Sequence, residues 1–386
     1  MHTPEPEKLP LLERLGVRYL RWRAASAPAL DAEDAIHVLN PREQAKLRRV
    51  ERGVVLRAGI AGALSALASA LAERWADATF GAAPDGFELG YYASYWGVVG
   101  GVTALATLFE ILFLYRDSLE GTHRLSHAAG LTLDGVGKRT VASALARAAL
   151  ELPNPLETPY RLDPHREVSK PRLLVATLLY KLKVGLTSFL LKLILRRLFS
   201  RAALRLWLVF VSVPVTAAWN AVVAFRVIRE ARVRVIGPSA ARELTARLFE
   251  RCPAPSPEGA VAALRAVGAC VVSSFDLHPN HLALLEEVRE RLGGVDLDEV
   301  DLGDRPAFVR DLALLRDDER RLAIGLLGVA AVLDGRLTRR ERALFASVRA
   351  GVGLTASTAP LSELRRAFVA GRPIDDALLD SLGGAR

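Results

Sequence analysis

The chain has 386 residues, of which 51% are hydrophobic, and a formal net charge of +9. Residues 237–386 contain 20 Arg, no Lys and 22 Asp or Glu, so they carry about −2 and residues 1–236 carry about +11. Nucleic acid is therefore disfavoured as a partner, since the polar part has no net positive field for phosphates. Basic residues within the hydrophobic part are typical of contact with an anionic lipid leaflet.

Residues 1–39 predict a polar cytoplasmic arm with one short amphipathic helix around Leu11–Ala24. Asn40, Pro41 and Glu43 then have the spacing of a capping box with proline at the first helical position, which predicts a long helix to about Ala76. Its first turns are basic and its later part, AGIAGALSALASALA at 58–72, is apolar and rich in small residues. This segment predicts a membrane span at 54–75.

A 25-residue apolar stretch at 91–115 predicts the clearest span, because about 20 apolar residues cross a bilayer. Aromatic residues crowd its start and Tyr115 ends it, as in the interfacial belt of a spanning helix. Its only charge is Glu110. Gly97 and Gly101 form a GxxxG pair, against which the small residues at 58–72 are expected to pack.

Charge predicts the topology of this hairpin. Residues 74–89 contain three acidic residues against one arginine, whereas arginines flank the opposite ends of both helices. The positive-inside rule therefore places the loop outside and the N-terminus in the cytoplasm. Arg57 and Glu110 then lie near the same membrane surface. We expect them to form an intramembrane ion pair, because an unpaired carboxylate is costly there. A proton or ion pathway through Glu110 is the alternative.

A second apolar block extends from residue 173 to residue 225. Residues 206–225 predict a span with a kink at Pro214. Residues 173–195 carry a polar stripe that includes Lys181 and Lys192, so they either lie in the interface or span with the stripe facing a bundle. The run Ile236–Ser239 contains Gly-Pro and predicts a helix break. The sequence thus predicts a membrane domain at 40–236 with two to four spans, followed by a cytoplasmic helical domain at 237–386.

The C-terminal domain contains an internal repeat. A shift of 60 residues aligns AVGACVVSSFDLHPNHLALLEEVRERLGG at 266–294 with LLGVAAVLDGRLTRRERALFASVRAGVGL at 326–354. Glycine, valine and leucine positions coincide, including Gly293 with Gly353. Each copy predicts helix, turn, helix and a glycine stop, which together indicate a compact all-helical domain.

The segment AAVLDGRLTRRERALF at 330–345 resembles the signature of the TerB-like family, which consists of small all-α bacterial domains. Asp334, Gly335 and Glu341 match its Asp-Gly turn and following Glu. The resemblance implies that Asp334 and Glu341 bind a divalent cation in a membrane-linked stress system. The first copy departs from the pattern, with Ser274 and His281 at the matching positions. A structural alternative is a turn at Asp334 and a capping box between Thr338 and Glu341.

Other polar groups give no stronger site. Glu120, His123 and His127 share one helical face, and His278 and His281 belong to an HPNH turn in which Asn280 is expected to cap the next helix. No phosphate-binding glycine loop, nucleophile elbow or zinc spacing occurs in the sequence. The sequence therefore predicts no enzyme and no cofactor other than the cation implied by the resemblance.

These patterns predict an all-α, multi-pass protein of the bacterial inner membrane with its C-terminal domain in the cytoplasm. The leading hypothesis is a non-enzymatic, membrane-anchored scaffold or sensor whose cytoplasmic domain binds a protein partner or a cation. One alternative is a transporter or channel component that uses Glu110 and the stripe with Lys181 and Lys192, and another is a peripheral lipid-binding helical protein. The lipid bilayer is the expected partner, and a homo-oligomer is left open.

Overall fold

The computed structural model describes residues 10–25, 38–81, 88–131, 139–150, 152, 160, 162–164, 166, 205–293 and 300–384. These residues form α-helices and connecting turns, with no strand among them, so the predicted all-α fold is confirmed. The helices are α1 (Leu11–Ala25), α2 (Pro41–Phe80), α3 (Leu89–Ala128), α4 (Arg139–Ala149), α5 (Arg205–Glu250), α6 (Pro257–Ser274), α7 (Pro279–Arg291), α8 (Arg305–Leu312), α9 (Asp317–Ala330), α10 (Arg339–Gly351), α11 (Ala359–Ala370) and α12 (Asp376–Gly383).

Three helices are long and apolar enough to cross a membrane: Pro41–Phe80, Leu89–Ala128 and Phe210–Glu250. The first two contain the predicted spans at 54–75 and 91–115, and the third covers all but the first four residues of the span predicted at 206–225. The predicted start of α2 is also confirmed, since Asn40 Oδ1 accepts from the Glu43 amide and Glu43 Oε2 accepts from the Asn40 amide, both at 2.9 Å. The segment at 173–195, with Lys181 and Lys192, lies outside the described residues.

The predicted helix break at Ile236–Ser239 is wrong, because α5 continues through Gly237 and Pro238 to Glu250. The surrounding turns, including Val235, Ile236, Ala240 and Ala241, are buried, and this packing outweighs the poor helix propensity of Gly-Pro. Gly237 also has a packing role. A Cβ at this position would lie 2.0 Å from Asn280 Nδ2, so only glycine leaves room for that side chain.

The chain divides into two compact units. We call the first the spanning unit (Arg48–Gly121 and Ser169–Arg229) and the second the globular unit (Met1–Leu47, Thr122–Val168 and Glu230–Arg386). The globular unit therefore includes more than the predicted domain at 237–386. In particular, α1 of the predicted N-terminal arm is part of it.

In the spanning unit, the small residues of α2 pack against α5. A Cβ on Gly59 would lie 3.4 Å from the Ala217 carbonyl oxygen, and one on Gly62 would lie 2.9 Å from that of Thr216. The expected packing of these small residues against the GxxxG pair is not observed. No described residue lies within 4 Å of a Cβ built on Gly97 or Gly101.

In the globular unit, the 60-residue shift relates the observed helix bounds. Helix α6 begins at Pro257 and α9 at Asp317, while α7 spans 279–291 and α10 spans 339–351. Both second helices end at a left-handed glycine, with φ of 76° at Gly293 and 78° at Gly353. Both copies are built around a buried apolar core that includes Val267, Val272, Leu326 and Val332.

Candidate functional site

The sequence predicts two sites, one around Glu110 in the spanning unit and one around Asp334 in the globular unit. Glu110 lies on α3 and is 8% exposed. Its Oε1 accepts a 2.6 Å hydrogen bond from Asn220 Nδ2 on α5. A buried carboxylate in an apolar unit thereby gains a donor, which offsets part of the cost of removing it from water.

Arg57 on α2 bonds a different carboxylate. Its Nε donates to Asp117 Oδ1 on α3 at 2.7 Å, and the two side chains are 39% and 12% exposed. The expected pair between Arg57 and Glu110 is thus replaced by two separate contacts. The reason is geometric: Asp117 follows Glu110 by seven residues on the same face of α3, and it competes for the same guanidinium.

Arg57 and Glu110 nevertheless line one open cavity of about 480 Å³ between α2 and α3. Its walls are mainly apolar, and its remaining polar side chain is Ser65. The Ser65 hydroxyl is buried and has no hydrogen-bond partner among the described residues. An amphiphilic or partly polar molecule would fit such a lining better than a wholly apolar one.

The site in the globular unit is the turn between α9 and α10. Asp334 Oδ1 accepts from the Arg336 amide at 2.7 Å, which closes the turn. Thr338 Oγ1 accepts from the Glu341 amide at 3.2 Å, and Glu341 Oε2 accepts from the Thr338 amide at 2.6 Å. The capping-box alternative for these residues is therefore confirmed.

The first copy builds the same turn from different residues. Ser274 Oγ accepts a hydrogen bond from the Asp276 amide at 3.3 Å. In the second copy, Asp334 likewise accepts from the amide two residues later, that of Arg336. Phe275 has φ of 59° where Gly335 has 72°, so a bulky residue takes the left-handed position that glycine occupies in the second copy. The Arg340 guanidinium lies 3.9 Å from the centre of the Phe275 ring and holds it in place.

The HPNH turn caps α7 through His278, not through Asn280 as expected. His278 Nδ1 accepts from the Asn280 amide at 3.2 Å, so its proton lies on Nε2, which donates to Glu230 Oε1 at 3.0 Å. Asn280 instead crosslinks backbone segments. Its Nδ2 donates to the carbonyl oxygens of Val233 and Leu333 at 3.1 and 2.6 Å.

Burial shifts the titration of this cluster. It raises the pKa of Asp334 to about 6 and, together with the charge of Asp334, that of Glu341 to about 7. Burial and the two carboxylates also raise the pKa of the Cys270 thiol, while burial lowers the pKa of His278 and His281. Each shift favours the uncharged form, because low dielectric penalises charge.

Within the described ranges, no group of three or more His, Cys, Asp or Glu side chains is arranged to hold a metal ion. Asp334 and Glu341 are 6% and 1% exposed and have their turn and cap contacts. On α3, the rings of His123 and His127 lie 6.3 Å apart. Because too few side-chain ligands surround Asp334, a cation there would need further oxygen ligands from carbonyl groups or water.

Comparisons with protein-family models, with curated proteins and with solved structures find no match to this chain. Sequence reasoning missed Asp117, Asn220 and Glu230 as partners. Asn220 carried a signal, since it is a polar residue inside the apolar segment 206–225. Glu230 carried none, because its contact to His278 joins residues 48 apart in the chain.

Proposed function

We propose that the chain is a membrane-anchored, non-enzymatic scaffold or sensor, with the spanning unit as its anchor and the globular unit as its binding module. One observation carries the proposal. Of 24 exposed large apolar side chains among the described residues, 19 belong to the spanning unit. Surfaces of this kind contact lipid or another protein, since soluble monomers rarely expose such patches.

The remaining exposed apolar residues support the same division. Between residues 230 and 384 the described surface exposes Leu314 alone among large apolar side chains, while its helices bury their apolar faces. This polar surface supports the proposal that residues 230–384 face water and bind through polar groups. In the proposed topology the number of spans is even, both termini are cytoplasmic and the membrane is a bacterial inner membrane, as the arginine distribution and the TerB-like resemblance favour.

Membrane integration is tested by alkaline carbonate extraction of membranes that contain the full chain. An integral protein stays in the pellet, whereas the alternative of a peripheral lipid-binding protein predicts release into the supernatant. Orientation is tested in intact cells with an impermeant thiol reagent at two exposed positions, Glu88→Cys and Leu314→Cys. Labelling of Leu314→Cys without Glu88→Cys would overturn the proposed topology. Cys252 and Cys270 are buried and give little background.

The cation form of the proposal concerns Asp334. Calcium is expected to raise the melting temperature of the detergent-solubilised chain if the TerB-like resemblance extends to ligand binding. Asp334→Asn keeps the turn acceptor and removes the charge, so it should abolish that shift. A shift of equal size in Asp334→Asn would place the cation elsewhere, and no shift in the parent would leave a protein partner as the ligand.

A transporter or channel component is the second candidate, favoured by the cavity that Arg57, Ser65 and Glu110 line. It predicts ion or proton flux in proteoliposomes that Glu110→Gln reduces. The scaffold hypothesis predicts no flux above that of empty vesicles for either chain. Few polar groups line the described spans, and pathways through membranes usually need several.

A further inference from the structure

Helix α1 is held against the globular unit by one face. Glu13 and Leu20 are fully buried on that face. The Glu13 carboxylate pairs with Arg147 Nη2 at 2.6 Å and accepts a hydrogen bond from the Ser143 hydroxyl, both on α4. A buried ion pair fixes the rotation of α1 about its axis, because turning the helix would strand the carboxylate.

The opposite face is apolar and exposed. Leu11, Leu15 and Trp22 are 64%, 54% and 61% exposed, and Leu12 is 42% exposed. At 100° per residue these four side chains lie within an arc of about 100°. They are four of the five exposed large apolar side chains in the described part of the globular unit. Such a concentration on one helix face indicates a binding surface.

Arginines adjoin the apolar arc. Arg14, Arg18 and Arg21 are exposed, and they lie in the neighbouring sector of the same helix. The acidic residue of α1 is Glu13, which faces inward. The outward surface carries no negative charge, and the half-buried Arg23 over the Trp22 ring adds a fourth positive one. Leucine and tryptophan beside arginine form the pattern of a helix that lies in a membrane interface, with its apolar side chains below the headgroups.

We propose that α1 lies in the plane of an anionic bilayer surface and forms a second membrane contact, additional to the spans. The proposal rests on the proposed membrane anchoring, which keeps lipid at a high local concentration. Leu11, Leu15 and Trp22 enter the boundary between headgroups and acyl chains, while the arginines bind lipid phosphates. If two copies of the chain packed through α1 about a two-fold axis, the arginines of the two helices would lie close together and repel each other. Charge therefore favours lipid over a second copy.

The test places an environment-sensitive fluorophore on Leu15→Cys in the full chain, reconstituted into two kinds of vesicle. One contains phosphatidylcholine and the other a mixture with phosphatidylglycerol. The matched control is Leu314→Cys, since Leu314 is the exposed large apolar residue of the described globular unit that lies outside α1. We expect the label at position 15 to shift to the blue and to be quenched by nitroxide lipids in the anionic vesicles, and the label at 314 to stay in water.

Salt and charge removal should weaken the contact. Replacing Arg14, Arg18 and Arg21 with Gln should lower the ratio of inserted to free α1 about fivefold for each charge removed. The proposal would be overturned if the blue shift of the label at position 15 did not depend on anionic lipid, on salt or on these substitutions. It would also be overturned by protection in detergent that grows with protein concentration, which would indicate a second copy.

A label on Phe109→Cys separates this inference from the proposed function. Phe109 is 70% exposed on the spanning unit and should be lipid-buried in both kinds of vesicle. If the label at 109 is in lipid and that at 15 is in water, the α1 contact fails while membrane anchoring stands. If both labels are in water, the anchoring itself fails.

Discussion

The close approach of α2 and α5 makes Gly62→Ala a sharp test of the spanning unit. A Cβ on Gly62 would lie 2.5 Å from Asn220 Nδ2 and 2.9 Å from the Thr216 carbonyl oxygen. The second contact is to backbone, so no rotamer change can relieve it. The helices must move apart, and Asn220 must shift away from Glu110, to which it donates a 2.6 Å hydrogen bond.

The size of the effect follows from these contacts. Overpacking of a close-packed interface costs about 1–3 kcal/mol, and a hydrogen bond to a charged group is worth about 1.5–3 kcal/mol. Alanine returns up to about 1 kcal/mol through its higher helix propensity. We therefore expect Gly62→Ala to lower the free energy of unfolding by about 2–4 kcal/mol.

Gly97→Ala is the matched control, because in the described part of the chain nothing lies within 4 Å of a Cβ at that position. It should be neutral or stabilise by up to about 1 kcal/mol. Both variants and the parent are unfolded with SDS in bicelles, and helical content is followed by circular dichroism. Equal midpoints for Gly62→Ala and Gly97→Ala would refute the observed packing. Destabilisation by Gly97→Ala alone would restore the GxxxG pair as the contact.

Two further predictions concern the turn between α9 and α10. Thr338→Ala removes the acceptor for the Glu341 amide and should cost about 1 kcal/mol in thermal unfolding of the solubilised chain; an unchanged melting temperature would contradict the cap. The Glu341 pKa is raised in the folded state from 4.5 to about 7, so its contribution to stability falls as pH rises between these values. Glu341→Gln keeps the cap acceptor but cannot ionise. Between pH 5 and pH 8 its free energy of unfolding should therefore rise by roughly 1–3 kcal/mol relative to that of the parent. Alkylation of buried Cys270 measures this unfolding, and parallel pH profiles would count against the raised pKa.

Local signals in the sequence predicted helices well where a single local requirement, such as capping or apolar length, decides the structure. The Asn40–Glu43 capping box fixed the start of α2, because four backbone amides at a helix start need acceptors wherever the helix lies. The segments 54–75, 91–115 and 206–225 were recognised by length and composition, and they coincide with the three helices that are long and apolar enough to cross a bilayer. The Thr338–Glu341 box was recognised for the same reason as the first.

Predictions that depend on tertiary partners were less successful. Gly237 and Pro238 predicted a break, but burial of the surrounding turns and the space needed by Asn280 keep α5 continuous. Glu110 was correctly recognised as a buried charge that needs a partner. The choice among Arg57, Asn220 and other groups depends on helix rotation, which hydropathy does not encode.

Helix α1 shows how one buried contact gives meaning to an ambiguous sequence. Residues 11–24 predicted a short amphipathic helix in a polar arm, but the sequence did not indicate which of its faces is buried. Glu13 decides which side faces inward, because its carboxylate is fully buried against Arg147. Once that face is fixed, Leu11, Leu15 and Trp22 must face outward together. An apolar and basic outward face on an anchored protein then favours the lipid surface as the nearest partner that satisfies both properties.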